Sequence, residues 1–181
     1  SYNTVKSRFS TMLLYDVNKS IADEMRIALL KKTQEKPENN EFASLLIWFS
    51  IQQEDYETAL TQCLSLDRRN NDQDQQLIGL ADICYNNGQY ELAKTAYESL
   101  LGKGKINPYY GHSLIGYAQT ESQISKSNPA TTLKSYEKLS EKIEEAYSDV
   151  GSKDYPVLAV LKADILTYHL HRSDQAIALL Q

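Results

Sequence analysis

The sequence predicts an all-α fold of stacked antiparallel helix pairs, on three observations. First, residues 75–101 carry apolar and small residues at Leu77, Leu80, Ala81 and Cys84, then at Tyr90, Ala93, Tyr97 and Leu100. Steps of three, one and three, then of three, four and three, put one stripe on each of two helices. The polar Asn86-Asn87-Gly88-Gln89 between them reads as a turn holding one glycine. Second, a shift of 34 residues lays this stretch on an earlier one, with Leu80 on Leu46, Tyr90 on Tyr56, Ala93 on Ala59 and Leu100 on Leu66. Third, seven glycines and four prolines among 181 residues leave room for long helices and short connections. One such hairpin cannot bury its stripe alone, so each needs neighbours, and the period allows about five.

Taken in order, residues 5–15 and 19–34 form the first pair, with Phe9, Met12, Met25 and Leu29 on the packing positions. Met25 is bulky where the next two copies have Ala59 and Ala93, which makes this copy degenerate. Pro37 breaks the chain. Residues 41–52 and 55–67 form the second pair, and the polar run 68–76 leads to the third, residues 75–101. After the linker Gly102-Lys103-Gly104-Lys105, Pro108 is expected as the first helical residue of the fourth pair. Leu114, Ile115 and Ala118 follow in phase, and the run 125–129 reads as a lengthened turn. A long second helix then spans 130–147, with Leu133, Tyr136, Leu139, Ile143 and Tyr147 on one face and Gly151 as its stop. Residues 155–171 and 173–181 supply the fifth pair. Its first helix is evenly apolar, as expected if something covers it.

The 34-residue period, the pair Leu80-Ala81, and Gly88, Tyr90, Ala93 and Tyr97 together resemble the tetratricopeptide repeat family. The resemblance is clearest over residues 40–106. Two departures stand out: Glu54 replaces the turn glycine in the earlier copy, and Ile47 sits where a small residue is usual. The family's architecture implies a right-handed superhelical array, an α-solenoid. Residues 1–181 would then form a single repeat domain with hairpins near 5–36, 40–68, 74–102, 108–148 and 155–181.

Hydrophobic content of 41% and charged content of 24% are those of a globular chain. The net charge of −5 and the absence of a lysine- and arginine-rich run weigh against nucleic acid as a partner. No apolar stretch approaches the roughly 20 residues of a membrane span. The start, Ser1-Tyr2-Asn3, and a last helix that simply stops lead us to expect a segment of a longer protein. Cys63 and Cys84 fall on core phases and leave the redox compartment open. His169 and His171 point about 200° apart on a helix, so one metal cannot take both. Gly102-Lys103-Gly104-Lys105 follows a helix and precedes Ile106, where a phosphate loop needs a strand before it and Ser or Thr after. Glu141, Glu144, Glu145 and Asp149 read as a solvated helix face. We therefore expect no enzyme, no cofactor and no metal.

The resemblance also implies a concave surface lined by the first helix of each pair. Trp48, Asp82, Tyr85, Tyr109, His112 and Tyr117 are the candidate partner-binding residues, since large aromatic side chains anchor partners at low entropic cost. Trp48 has a second reading, as filler of a gap between irregular hairpins. Family members that clamp acidic C-terminal peptides use Lys, Asn and Arg on these helices. Ser44, Trp48, Gly79, Tyr109 and Ser113 stand there instead, which implies that this clamp is absent. The expected function is a protein- or peptide-binding scaffold within a larger assembly. The alternative is a regulatory or recruiting module whose catalytic or DNA-binding domain lies outside these residues.

Overall fold

The structure, a computed structural model, describes residues 2–127, 133–147 and 155–181. Packing divides the chain into two compact units, Ser1–Gln73 and Asp74–Gln181. All described regular structure is helical, with ten α-helices, one π-helical turn and no strand among the described residues. Within each unit successive helices pack on one another. No described helix is long and apolar enough to cross a membrane.

The first unit comprises α1 (Tyr2–Leu14), α2 (Ser20–Glu35), α3 (Asn40–Gln52) and α4 (Tyr56–Asn70). In each of the last three, a carboxylate or amide from the preceding residues answers an otherwise orphaned N–H of the first turn. Asp16 accepts from the Ala22 N–H at 2.7 Å, Asn39 from Glu41 at 3.0 Å, and Asp55 from Thr58 at 3.2 Å. Ala22, Met25 and Leu29 of α2 meet Leu45, Leu46 and Phe49 of α3 in one cluster, so the bulky Met25 is accommodated in the core. Between α3 and α4 the chain turns through Glu54 at φ 59°, in the left-handed region. Helix α4 outruns the expected stop at residue 67 and carries Arg68 and Arg69 within its last turn. There Arg69 donates to the Pro37 carbonyl, and Asn71, at φ 52°, ends the helix with its N–H on the Asp67 carbonyl at 2.6 Å.

The second unit comprises α5 (Asp74–Asn86), α6 (Tyr90–Leu101), α7 (Tyr110–Ser127), α8 (Leu133–Ala146), α9 (Tyr155–Asp164), a π-helical turn (Ile165–His169) and α10 (Ser173–Leu180). Leu77, Leu80, Ala81 and Cys84 of α5 and Ala93, Tyr97 and Leu100 of α6 are all buried. A second cluster joins Ala118 of α7, Tyr136, Leu139 and Ile143 of α8, Leu158 of α9 and Ile165. Besides packing in sequence, α5 touches α7 and α7 touches α9.

Three expected boundaries move. Pro108 stays outside α7, because the Asn107 side chain takes the Tyr109 N–H at 2.8 Å and sets the helix start two residues later. The expected turn at 125–129 is helical through Ser127: Ser127 bonds back to the Gln123 carbonyl at 2.9 Å, and Lys126 suits a helix C-terminus. Asn128 and Pro129 lie outside the described residues, as do the expected start of α8 at Ala130, its stop at Gly151, and Asp149. Among the described residues the longest helix is α7, with 18 residues, and α8 is described over 14. Finally, residues 155–171 are not one regular helix. They widen into the π-helical turn after Asp164, closed by the Leu170 N–H on the Ile165 carbonyl at 3.0 Å, and end at His171, φ 54°.

Candidate partner-binding groove

Asp74, at the start of α5, fixes the connection between α6 and α7. Its carboxylate takes Lys103 as an ion pair and accepts from the Asn107 side-chain amide at 2.9 Å. That anchor brings Tyr109 and Tyr110 alongside α5. One turn into α7, His112 Nε2 lies 2.9 Å from Asp82 Oδ1. The same oxygen accepts from the Tyr97 hydroxyl, which reaches over from α6 at 2.7 Å. Burial pushes the Tyr97 phenol far above its ordinary range, and the Asp82 hydrogen bond and charge push it further. Tyr97 is therefore a fixed donor. Its ring fits only because Gly116 of α7 has no side chain: a Cβ there would lie 2.3 Å from Tyr97 Cζ.

These contacts frame an open cavity of about 810 Å³. Asp82, Tyr85 and Asn86 line it from α5, Tyr97 from α6, and Tyr109, His112 and Gln119 from α7 and its approach. Tyr85 is held edge-on by Tyr90, with ring centroids 5.7 Å apart and planes at 61°. A second cavity of about 510 Å³ continues along α7 toward α9. Gln119, Ser122, Gln123 and Lys126 form one wall and Val157, Val160, Leu161 and Asp164 the other. Tyr85 and Gln119 belong to both cavities, so the two form one continuous groove.

Of the six residues singled out in the sequence, Asp82, Tyr85, Tyr109 and His112 meet here. Tyr117 does not. Five positions after His112, it points about 140° away around α7. It is buried against α8, where the Lys142 ammonium donates to its hydroxyl at 2.7 Å and sits 4.9 Å from its ring centroid. Trp48 belongs to the first unit, half-buried against the cluster of Leu45, Leu46 and Phe49, with the Lys6 ammonium 5.6 Å from its ring.

The sequence reading missed the wall made by α9, although its even apolarity was the signal: Val157 and Val160 are 42% and 54% exposed. It also missed Gln119 and Gln123, which a helix-phase argument from His112 reaches by adding seven and then four. His169, read as one of a helix-end histidine pair, lies flat on Tyr136 of α8, centroids 4.0 Å apart and planes 7° from parallel. Cys63 and Cys84 are both buried and in no disulfide, and burial pushes the Cys84 thiol up to about 11. No family model, curated protein or solved structure matches the chain.

Proposed function

We propose that this chain is a protein- or peptide-binding scaffold, a tetratricopeptide-like array that engages its partner along the groove of α5, α7 and α9. The observation that carries this reading is the continuity of that groove. Three first helices of successive pairs contribute to it, and its lining combines tyrosine rings with side-chain amides. Aromatic area with scattered hydrogen-bonding groups is the composition of a protein-recognition surface. Catalysis is the weaker reading, since among the described residues no serine, threonine or cysteine shares the first cavity with Asp82 and His112. In a right-handed superhelix of such pairs this groove would be the concave side.

The test is site-specific photocrosslinking in the native source. A benzoylphenylalanine at position 85 or 109 should trap a defined partner, while the same probe at Lys138, on the exposed side of α8, should not. Equal trapping at all three positions would defeat the groove reading.

A further inference from the structure

The polarity of the groove narrows the class of partner, a step that rests on the binding reading above. Charge comes first. Asp82, engaged by Tyr97 and His112, shares the first cavity with Lys105, and the charges of the second cavity, Lys126 on α7 and Asp164 on α9, are likewise opposite in sign. On a chain of net charge −5 the groove is thus nearly neutral, and complementarity asks for a segment without strong charge of either sign.

Hydrogen bonding comes second. Among the described residues, the side-chain amides of Asn86, Gln119 and Gln123 make no hydrogen bond, and each offers both a donor and an acceptor. The Ser122 hydroxyl is buried without a partner on the same wall. A helical partner has already used its backbone N–H and C=O groups internally and gains little from such a row. An extended backbone has all of them free. Third, Val157 and Val160 hold aliphatic surface open to solvent at the α9 end.

We propose that the groove takes an extended, uncharged peptide segment lying along α7, with an aliphatic side chain over Val157 and Val160 and its backbone on Gln119 and Gln123. From His112 to Lys126, α7 rises roughly 21 Å at 1.5 Å per residue. At about 3.3 Å per extended residue this is room for about six residues.

The experiment titrates the isotope-labelled 181-residue protein with four synthetic peptide pools, read by amide chemical shifts and by fluorescence anisotropy. Three pools hold eight-residue peptides: uncharged ones mixing Val, Ile and Leu with Ser, Thr and Gln, then acidic ones, then basic ones. The fourth holds longer amphipathic helix formers. The uncharged pool should bind best and shift Tyr85, Gln119, Gln123 and Val160. Val160→Glu, at an exposed position that leaves the melting curve in place, should weaken binding about tenfold or more. Gln119→Ala with Gln123→Ala should weaken it about fivefold, and Lys126→Ala less than threefold. Preference for the acidic or basic pool, with loss on Lys126→Ala or Asp164→Ala, would overturn the uncharged class and leave the groove standing. Preference for the helical pool would overturn the extended conformation alone. If no pool shifts a groove residue, both this inference and the binding reading fail.

Discussion

The hairpin α3–α4 and the hairpin α5–α6 superpose in sequence at 34 residues, and the structure shows what that repetition preserves. Leu46 and Leu80, Ile47 and Ala81, Ser50 and Cys84, Ala59 and Ala93, Cys63 and Tyr97, and Leu66 and Leu100 are buried in both copies. The difference lies at a coupled pair of positions. In α5–α6, Asp82 and Tyr97 are joined by a hydrogen bond, and Asp82 goes on to meet His112. In α3–α4 the same positions hold Trp48 and Cys63, so an apolar ring and a small thiol stand where the other copy has a polar bridge. Burial governs what repeats. Each hairpin's own neighbours govern what does not.

Overpacking should break the comparison most severely. Gly116→Ala drives a Cβ into the buried Tyr97 ring, and Ala59→Leu or Ala93→Leu fills a closed helix crossing. Each is expected to cost about 1–3 kcal/mol by urea denaturation. Unchanged midpoints would show that these faces can open. Tyr97→Phe is next. It strips a hydrogen bond to a carboxylate that is 38% exposed and keeps His112 as a partner, so the loss should be about 0.5–1.5 kcal/mol.

Smaller, and opposite in sign, is Glu54→Gly. Glu54 holds φ 59° where the other hairpin has Gly88 at φ 73°. Removing its Cβ relieves a left-handed strain of about 1 kcal/mol, so the melting temperature should rise. A fall would mean that the Glu54 side chain contributes more than its backbone costs.

The smallest effect concerns His169. Burial lowers its pKa below the ordinary 6.5, with the Lys126 and His171 charges adding and Asp164 opposing. The unfolded chain then takes the proton first, so this contribution is present above about pH 6.5 and fades as the pH falls below it. Thermal unfolding from pH 7.5 to 5 should show a slope that His169→Phe, which keeps the ring on Tyr136, reduces. An identical slope in the variant would remove His169 from the account.

The helices were legible because burial imposes a period, and Leu77 through Leu100 display it without interruption. Their ends were less so. Helix stops at Asn71 and His171 are non-glycine residues in the left-handed region, and the start of α7 depends on the side chain of Asn107 in place of the proline beside it. Those choices are made by local hydrogen bonds that residue type alone does not display. In the groove, Asp82, Tyr85, Tyr109 and His112 were reachable through the resemblance, which puts the first helix of each pair on the lining. Tyr117 was misplaced because a five-residue step along α7 moves a side chain off the face it was meant to share. Gly116 went unremarked, since its role appears only once the Tyr97 ring is in place.

Residues that hold the fold are distinct from residues that face the groove, and one paired measurement tests that separation most directly. The double variant Tyr85→Ala, Tyr109→Ala should unfold in urea within about 1 kcal/mol of the parent, as half-exposed surface positions do. In the same preparation, groove binding, read with the uncharged peptide pool, should drop by about 2 kcal/mol or more, the loss expected at an anchoring hot spot. A stability loss above roughly 3 kcal/mol, the range for large aromatic residues truncated in a core, would contradict the separation. So would binding that survives both substitutions.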